Sequence, residues 1–167
     1  MPRTISSILP NWRKFSVSAD IIQDKPMIAI VIDDMGIDKK RSADAIELRA
    51  PLTLSFLTYA TNLERQTEMA RLNGHELMLH VSMEPGSDKI DPGPNALLTS
   101  LDEKELRRRL NWGFGRFSKY VGINNHMGSK FTSNVKLMRI VIEEIKRRGL
   151  LFLDSRTSGK TVGAKLA

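Results

Sequence analysis

The sequence predicts an α/β protein built on a parallel sheet. Two observations predict this class: five short apolar runs alternate with amphipathic helical segments, and turn-forming Gly and Pro residues separate many of them. In addition, polar side chains follow several of the apolar runs, where α/β proteins build their ligand sites. An open doubly wound sheet and part of a barrel both fit the pattern, because periodicity alone does not separate them.

Length and composition favour one globular domain. The chain has 167 residues, of which 41% are hydrophobic, enough to bury a core. Residues 1–26 are polar and broken by Pro10 and Pro26, so we expect a linker or tail there and a domain over residues 27–167. The apolar stretch 5–9 is too short for a signal-peptide core, and no run is long enough to span a membrane.

Charge and cysteine content narrow the classes of function. The net charge is +7, but the basic clusters lie within or at the ends of predicted helices and no aromatic residues are interleaved with them. We therefore expect no nucleic-acid partner. The chain has no cysteine, which excludes disulfides and thiolate ligands, so a transition-metal site must use histidines and carboxylates.

The elements follow one another in regular order along the chain. The run 27–32 is unbroken and apolar, as in a parallel strand covered on both faces. Thr61 with Glu64, and Ser100 with Glu103, have the spacing of capping boxes that open helices. The predicted strands are 27–32, 52–57, 76–79, 121–123 and 150–153, and the predicted helices are 38–49, 61–74, one that starts after residue 100, and one that stops at Gly149. Residues 84–98, rich in Pro and Gly, predict an irregular loop long enough to cover a site.

The chemistry-bearing side chains are predicted to meet at one rim of the sheet. They share a position just after the carboxyl end of a predicted strand, and they are Asp33, Asp34, His80, Asn124, Asn125, His126 and Asp154. Side chains at such ends converge even when they are distant in sequence. His75 precedes its strand instead, so we expect it at the opposite rim in a structural role.

Each motif taken alone has a structural alternative. The pair Asp33-Asp34 fits an Asx-turn or a helix cap as well as a cation ligand beside a general base. His80 fits a hydrogen-bonded structural histidine as well as a metal ligand, and Glu84 would share its side if the segment turned helically. Residues 124–129 fit a turn with Asn caps or a tight loop that carries a metal-binding imidazole. Asp154 fits a buried structural pair or an orienting role.

Five motifs, in order along the chain, make the sequence resemble the divergent polysaccharide deacetylase family. They are residues 30–36, residues 74–80 with 83–85, residues 91–98, residues 122–129 and residues 153–158. The resemblance covers the chain from residue 27 to about residue 158. It implies a parallel (β/α) barrel of the polysaccharide deacetylase type and a metal-dependent hydrolase that removes acetyl groups from a carbohydrate polymer.

The resemblance also implies roles for individual residues. Asp33 corresponds to the catalytic base, and Asp34, His80 and His126 correspond to ligands of a divalent metal ion, taken here as zinc. Glu84 stands where such deacetylases carry a second histidine, so we assign it as a fourth ligand. Asp154 is assigned as a second catalytic residue. Proteins of this kind are expected in the cell envelope or periplasm.

One departure affects the expected barrel. The fold implied by the resemblance needs further strands after the fifth, one of which supplies a histidine acting as general acid, and no such residue follows here. We therefore expect a barrel truncated after about five strands. Two alternatives to the deacetylase remain: an inactive glycan-binding or scaffold protein of the cell envelope, and another metallohydrolase such as a phosphoesterase.

Overall fold

A computed structural model of the protein describes residues 9–20 and 22–167. Along this part of the chain the elements are α1 (Asn11–Phe15), β1 (Val31–Met35), α2 (Lys39–Ile46), β2 (Thr53–Leu57), α3 (Leu63–Leu72), β3 (Glu76–Met83), α4 (Glu103–Phe114), β4 (Gly122–Met127), a 3₁₀ turn (Phe131–Ser133), α5 (Val135–Arg147), β5 (Leu151–Leu153) and α6 (Gly163–Leu166). None of the helices in these two ranges has the length and hydrophobicity of a membrane-spanning segment.

The five strands form one parallel sheet in the order β1-β2-β3-β4-β5. This confirms the predicted α/β class and its parallel sheet. Within the described residues, β1 and β5 are the edges and do not pair with each other, so the sheet is open.

The two faces of the sheet differ in chemistry. Side chains alternate between faces along a strand, and one face carries almost fully buried apolar side chains that join the helices in the core: Leu54, Phe56, Leu77, Leu79 and Ile123. The other face carries buried polar side chains, namely Ser55, His80, Ser82 and Asn124. The helices pack on the apolar face, so the polar face is available for a functional site.

The helix faces predicted from periodicity are confirmed. Leu106, Leu110 and Phe114 of α4 are buried, as are the α5 residues Met138, Val141, Ile142 and Ile145. Phe117 is buried too, although it lies beyond the end of α4. The helix α5 ends before Gly149, which adopts the positive φ of 61° that favours glycine.

The first strand was predicted in the wrong place. Residues 27–30 precede β1, and the exposed fractions of Met27 and Ile28 are 66% and 86%. An unbroken apolar run indicates a strand covered on both faces, but among the described residues β1 is an edge strand that pairs only with β2. The strand therefore begins later and includes Asp33 and Asp34.

Both predicted capping boxes are wrong. The residue that precedes α3 is Asn62, whose side chain makes no capping hydrogen bond, and the one that precedes α4 is Asp102, whose carboxylate accepts from the backbone N–H of Glu105. In both cases the helix starts one or two residues later than predicted. For α4 the reason is that Asp102 lies nearer and caps the helix.

The segment predicted to be an irregular linker contains the helix α1. The backbone N–H of Trp12 donates to the carbonyl of Gly149 at 2.9 Å, and the carbonyl of Phe15 accepts from Arg71. Residues 9–17 thus lie against the domain. Residues 1–8, which include most of the apolar stretch 5–9, and residue 21 lie outside the described residues. The boundary between residues 26 and 27 stays a prediction.

The basic clusters of α4 and α5 are largely neutralised within their own helices. Arg107 pairs with Glu103, Arg108 and Arg109 pair with Glu105, and Arg147 and Arg148 pair with Glu144. The hydrogen bonds from these arginines lower the pKa of Glu105 and of Glu144 to about 2. This pairing agrees with the sequence interpretation of the clusters as ordinary helix charges.

Candidate metal centre

A β-bulge in β1 brings two adjacent carboxylates to one side of the sheet. Ile32 pairs with Leu54 and Met35 with Phe56, so β1 has one more residue than β2 over this interval. The extra residue is accommodated by Asp34, whose φ is 56°. Adjacent residues of a regular strand point to opposite faces. The bulge lets both Asp33 and Asp34 approach His80, at 3.8 Å and 3.3 Å from its Nε2 atom.

The two histidines come from neighbouring strands inside the sheet. His80 is buried in β3 and His126 is half-buried in β4, and their rings meet edge to face with centroids 5.0 Å apart. Both were predicted to follow their strands, but β3 and β4 extend to Met83 and Met127. The site therefore lies within the carboxyl-terminal part of the sheet, where strand pairing fixes the backbone of both ligands.

Three of the predicted ligands converge. One ligand atom each from Asp34, His80 and His126 lies within 4.8 Å of the others. Asp34 Oδ1 is 2.9 Å from His126 Nδ1 and 3.3 Å from His80 Nε2. Ligand atoms bound tetrahedrally to one zinc ion are about 3.3 Å apart, given bond lengths near 2.0 to 2.1 Å. Two imidazoles and a carboxylate with this spacing fit a divalent ion such as zinc.

The local electrostatics favour the metal-binding forms of Asp34 and His126. The hydrogen bond from His80, helped by the charges of His126 and His80, holds the pKa of Asp34 below its usual value against the effect of burial. Burial lowers the pKa of His126, and the nearby His80 lowers it further. An ionised carboxylate and a neutral imidazole are the forms that bind a cation.

Asn124 holds His80 in the required tautomer, a role that was not predicted from the sequence. Its Nδ2 donates to Ser155 Oγ, so its Oδ1 is the acceptor that faces His80 Nδ1 at 3.0 Å and Ser55 Oγ. His80 therefore donates from Nδ1 to Asn124, so Nε2, which donates to Asp34 when it carries a proton, is the ring nitrogen left to bind a metal ion. Sequence offered only a weak signal, an Asn two residues before a candidate ligand, because the pairing of His80 with Asn124 depends on strand register.

Loss of the Asn124 side chain should weaken metal binding without removing a ligand. We expect Asn124→Ala to reduce zinc affinity about 10-fold to 100-fold, because groups that orient a metal-binding histidine have effects of that size. Titration with a competing chelator measures the change. Asn124→Asp keeps an acceptor for His80 Nδ1 and should stay closer to the unaltered protein. Equal affinities for Asn124→Ala and the unaltered protein would contradict the role.

Glu84 is not brought to this centre. Its carboxylate accepts from Lys130 Nζ at 2.7 Å and from the backbone N–H of Thr99. Burial raises the pKa of Glu84, but the hydrogen bonds from Lys130 and Thr99 outweigh it and the net shift is downward. The expected approach to His80 assumed a helical turn, whereas β3 runs extended to Met83. Among the described residues, the group of candidate ligands is Asp34, His80 and His126.

Asp154 is engaged in holding the loop that follows β5. Its Oδ1 accepts from the backbone N–H of Arg156 at 2.9 Å, and its Oδ2 accepts from Thr161 Oγ1 at 2.6 Å. The next residue, Ser155, faces β4 instead, where its backbone N–H donates to Asn125 Oδ1. A catalytic role for Asp154 stays a prediction.

His75 takes the structural role expected of it. The ring is fully buried, with Nδ1 accepting from the backbone N–H of Leu52 and Nε2 facing the carbonyl of Ile46. It precedes β3, whereas His80 lies in the carboxyl half of the same strand. The ring ties the connection between α2 and β2 to the start of β3.

A cleft of about 520 Å³ opens beside the centre. Asp33, Asp34, His126 and Tyr59 contribute polar groups to it, and Ile32, Ile37 and Leu57 line it with apolar surface. Burial, and the charges of Asp34 and Asp91, raise the pKa of Tyr59, so its hydroxyl stays protonated at neutral pH. A larger cleft of about 830 Å³ between α3 and the end of α4 contains none of these side chains.

The predicted loop 84–98 is irregular and reaches this cleft. Its end is tied to β3, since the backbone N–H of Leu97 donates to the carbonyl of Ser82. Gly93 lies against the Tyr59 ring so closely that a Cβ atom there would be 2.8 Å from Tyr59 Cε1. The loop therefore fixes one wall of the cleft.

Comparisons with known proteins agree with the resemblance seen in the motifs. The family model described as divergent polysaccharide deacetylase matches residues 30–167. An uncharacterized protein of Haemophilus influenzae is 31% identical over 168 residues, which cover 98% of this chain and 59% of that protein. The uncharacterized protein YibQ of Escherichia coli is 32% identical over 152 residues, which cover 91% of this chain and 47% of that protein.

A solved structure has the same fold. The crystal structure of an uncharacterized protein from Agrobacterium tumefaciens matches with a TM-score of 0.91 and 29% sequence identity, over 95% of this chain and 65% of that one. The chain thus spans 59% and 47% of the length of the two curated relatives.

Proposed function

The chain belongs to the divergent polysaccharide deacetylase family, and on that premise we propose that it is a metal-dependent hydrolase that removes acetyl groups from a carbohydrate polymer. The observation that carries the proposal is the convergence of Asp34, His80 and His126 within 4.8 Å beside an open cleft. Neither the family nor the fold alone assigns an activity. The donor set does suggest one, since two imidazoles and a carboxylate with an open side are typical of hydrolytic zinc sites.

The three ligands would leave one side of the ion open. Asp34 and His126 line the cleft, while His80 is buried behind them against Asn124. A divalent cation held there would supply Lewis acidity to water and to an acyl carbonyl. Because Asp34 and His126 line the cleft, the ion would act on a molecule bound in the cleft and not in the core.

We propose that Asp33 takes the proton. Its carboxylate is half-exposed, lines the cleft, and lies 3.8 Å from His80 Nε2, which is farther than Asp34. A carboxylate beside the ligands and open to solvent can accept a proton from attacking water as a general base. We therefore assign Asp33 as the base and Asp34 as the ligand.

The cleft walls suit a sugar residue. Tyr59 presents an aromatic ring and a protonated hydroxyl, and Ile37 and Leu57 add apolar surface. Sugar rings combine apolar C–H faces with hydroxyl groups, and a cleft with both kinds of surface can bind them. The loop 84–98 holds the ring of Tyr59 in place.

Acetate release from defined glycans tests the proposal. The protein would be freed of metal with a chelator and assayed with and without added zinc on N-acetylated chitin oligomers and on O-acetylated xylan. We expect acetate release that depends on the added ion. Saturable glycan binding without any acetate release would instead favour the glycan-binding alternative. Hydrolysis confined to phosphate esters would favour another metallohydrolase.

A further inference from the structure

Ser82 carries a buried hydroxyl that the proposed mechanism does not use. Among the residues that the structure describes, its Oγ is the one buried side-chain polar atom without a hydrogen-bond partner, and the residue is only 1% exposed. A buried polar group without a partner destabilises a fold, because it has lost its hydrogen bonds to water. One explanation for such an atom is a hydrogen-bond partner that reaches it only when the site is occupied.

The strand register places this hydroxyl next to the metal centre. Ser82 is two residues beyond His80 on β3, so both side chains lie on the same face of the sheet. On the neighbouring strand, Ser82 pairs with His126, just as His80 pairs with Asn124. Paired residues of neighbouring strands are about 4.8 Å apart, a separation that a serine and an imidazole side chain can bridge.

In the pairs His80–Asn124 and Ser82–His126, each imidazole has a polar neighbour on the adjacent strand. For His80 the neighbour is Asn124, and the hydrogen bond between them is already formed at 3.0 Å. For His126 the neighbour is Ser82, and here the bond is missing. His126 directs Nδ1 at Asp34, and in the described part of the chain its Nε2 makes no hydrogen bond.

A histidine that binds a metal ion through one ring nitrogen usually donates the N–H of the other nitrogen to a fixed acceptor. We propose that Ser82 is a positioning residue for His126: when the ion is bound, the Ser82 hydroxyl accepts the N–H of the ring nitrogen that does not coordinate it. This inference rests on the proposed metal site. It assigns the orphan hydroxyl the same task for His126 that Asn124 performs for His80.

Zinc affinity and the ring proton of His126 together test the role. We expect Ser82→Ala to bind zinc about tenfold more weakly in a chelator competition, and Ser82→Thr, which keeps the hydroxyl, to recover most of the loss. Thr67→Val is a matched control, because it removes a buried hydroxyl that bonds only within α3. Its zinc affinity should equal that of the unaltered protein.

A second readout has one arm in the unaltered protein, which does not depend on how well a variant folds. In the zinc-loaded unaltered protein, ¹⁵N-resolved spectra should show a His126 ring N–H that exchanges slowly with water, and Ser82→Ala should speed that exchange. Unchanged zinc affinity in well-folded Ser82→Ala, or fast exchange of that proton in the unaltered protein, would overturn the role of Ser82. If the unaltered protein bound no zinc at all, the metal site itself would fail, and this inference with it.

Discussion

Replacing Asp34 with Asn is expected to abolish stoichiometric zinc binding. Asp34 Oδ1 lies 2.9 Å and 3.3 Å from the two imidazole nitrogens, so it is the common neighbour of both. It is also the single anionic member of the candidate ligand group in the described chain. Two neutral imidazoles without a carboxylate provide neither the charge nor the third ligand of a hydrolytic zinc site. Binding should fall by at least about 100-fold, and acetate release should fall with it.

Asn is the substitution that isolates this effect. Asp34 has a φ of 56°, a conformation that Asn and Asp tolerate far better than most residues. Asp34→Asn therefore keeps the bulge and the side-chain size while removing the charge. Asp44→Asn, on the exposed side of α2, is the control for a lost carboxylate. Metal analysis of the purified variants measures zinc per chain, and one zinc per chain in Asp34→Asn would contradict the assignment.

The fold class could be predicted because the apolar periods are strong. The helix faces of α4 and α5 were predicted correctly from spacing, and the alternation with strands determined a parallel sheet. The bounds of β1 could not be predicted in the same way. An apolar run such as residues 27–32 has the same composition at an edge as in the centre of a sheet, and only the tertiary arrangement leaves Ile28 exposed.

The convergence of three candidate ligands was predicted from the sequence, but the geometry that brings them together was not. The rim argument correctly gathered Asp34, His80 and His126, because the carboxyl ends of parallel strands share one edge. The bulge could not be predicted from the sequence. Nothing in the residue types of Ile32 or Met35 indicates that β1 has one more residue than β2 between these two paired positions. Without the bulge, Asp33 and Asp34 would point to opposite faces, and only one of them would reach His80.

The prediction that Glu84 is a ligand failed because it assumed a helical turn after His80. The four-residue spacing from His80 places two side chains together on a helix, but on a strand the separation grows by about 3.3 Å per residue. β3 continues past His80 to Met83, and Glu84 turns to Lys130 and Thr99. The ends of β3 and β4 were missed because their residues are polar, whereas sequence patterns associate buried strands with apolar residues. These polar residues are His80, Ser82, Asn124 and His126.

Asp33→Asn should separate catalysis from metal binding. If Asp33 is the general base, its loss should lower the kcat of acetate release by about 10²-fold to 10⁴-fold. Zinc affinity should change little, because Asp33 lies 3.8 Å from His80 Nε2 and outside the group of three ligands. KM should also change little, since an amide of the same size keeps the wall of the cleft. The measurement is steady-state acetate release at saturating zinc, with zinc per chain determined in parallel.

Comparing Asp33→Asn with Asp34→Asn tests which of the two carboxylates is the base and which is the ligand. Asp33→Asn is expected to retain zinc and lose turnover, whereas Asp34→Asn loses both, although the two residues are adjacent in one bulge. Asp88→Asn, on the exposed part of the loop 84–98, controls for the loss of a surface carboxylate and should leave both properties unchanged. The reverse pattern, with zinc lost on changing Asp33 and retained on changing Asp34, would exchange the two roles. Normal turnover in Asp33→Asn would remove the base from this position, because a neutral amide cannot take over the proton transfer of a general base.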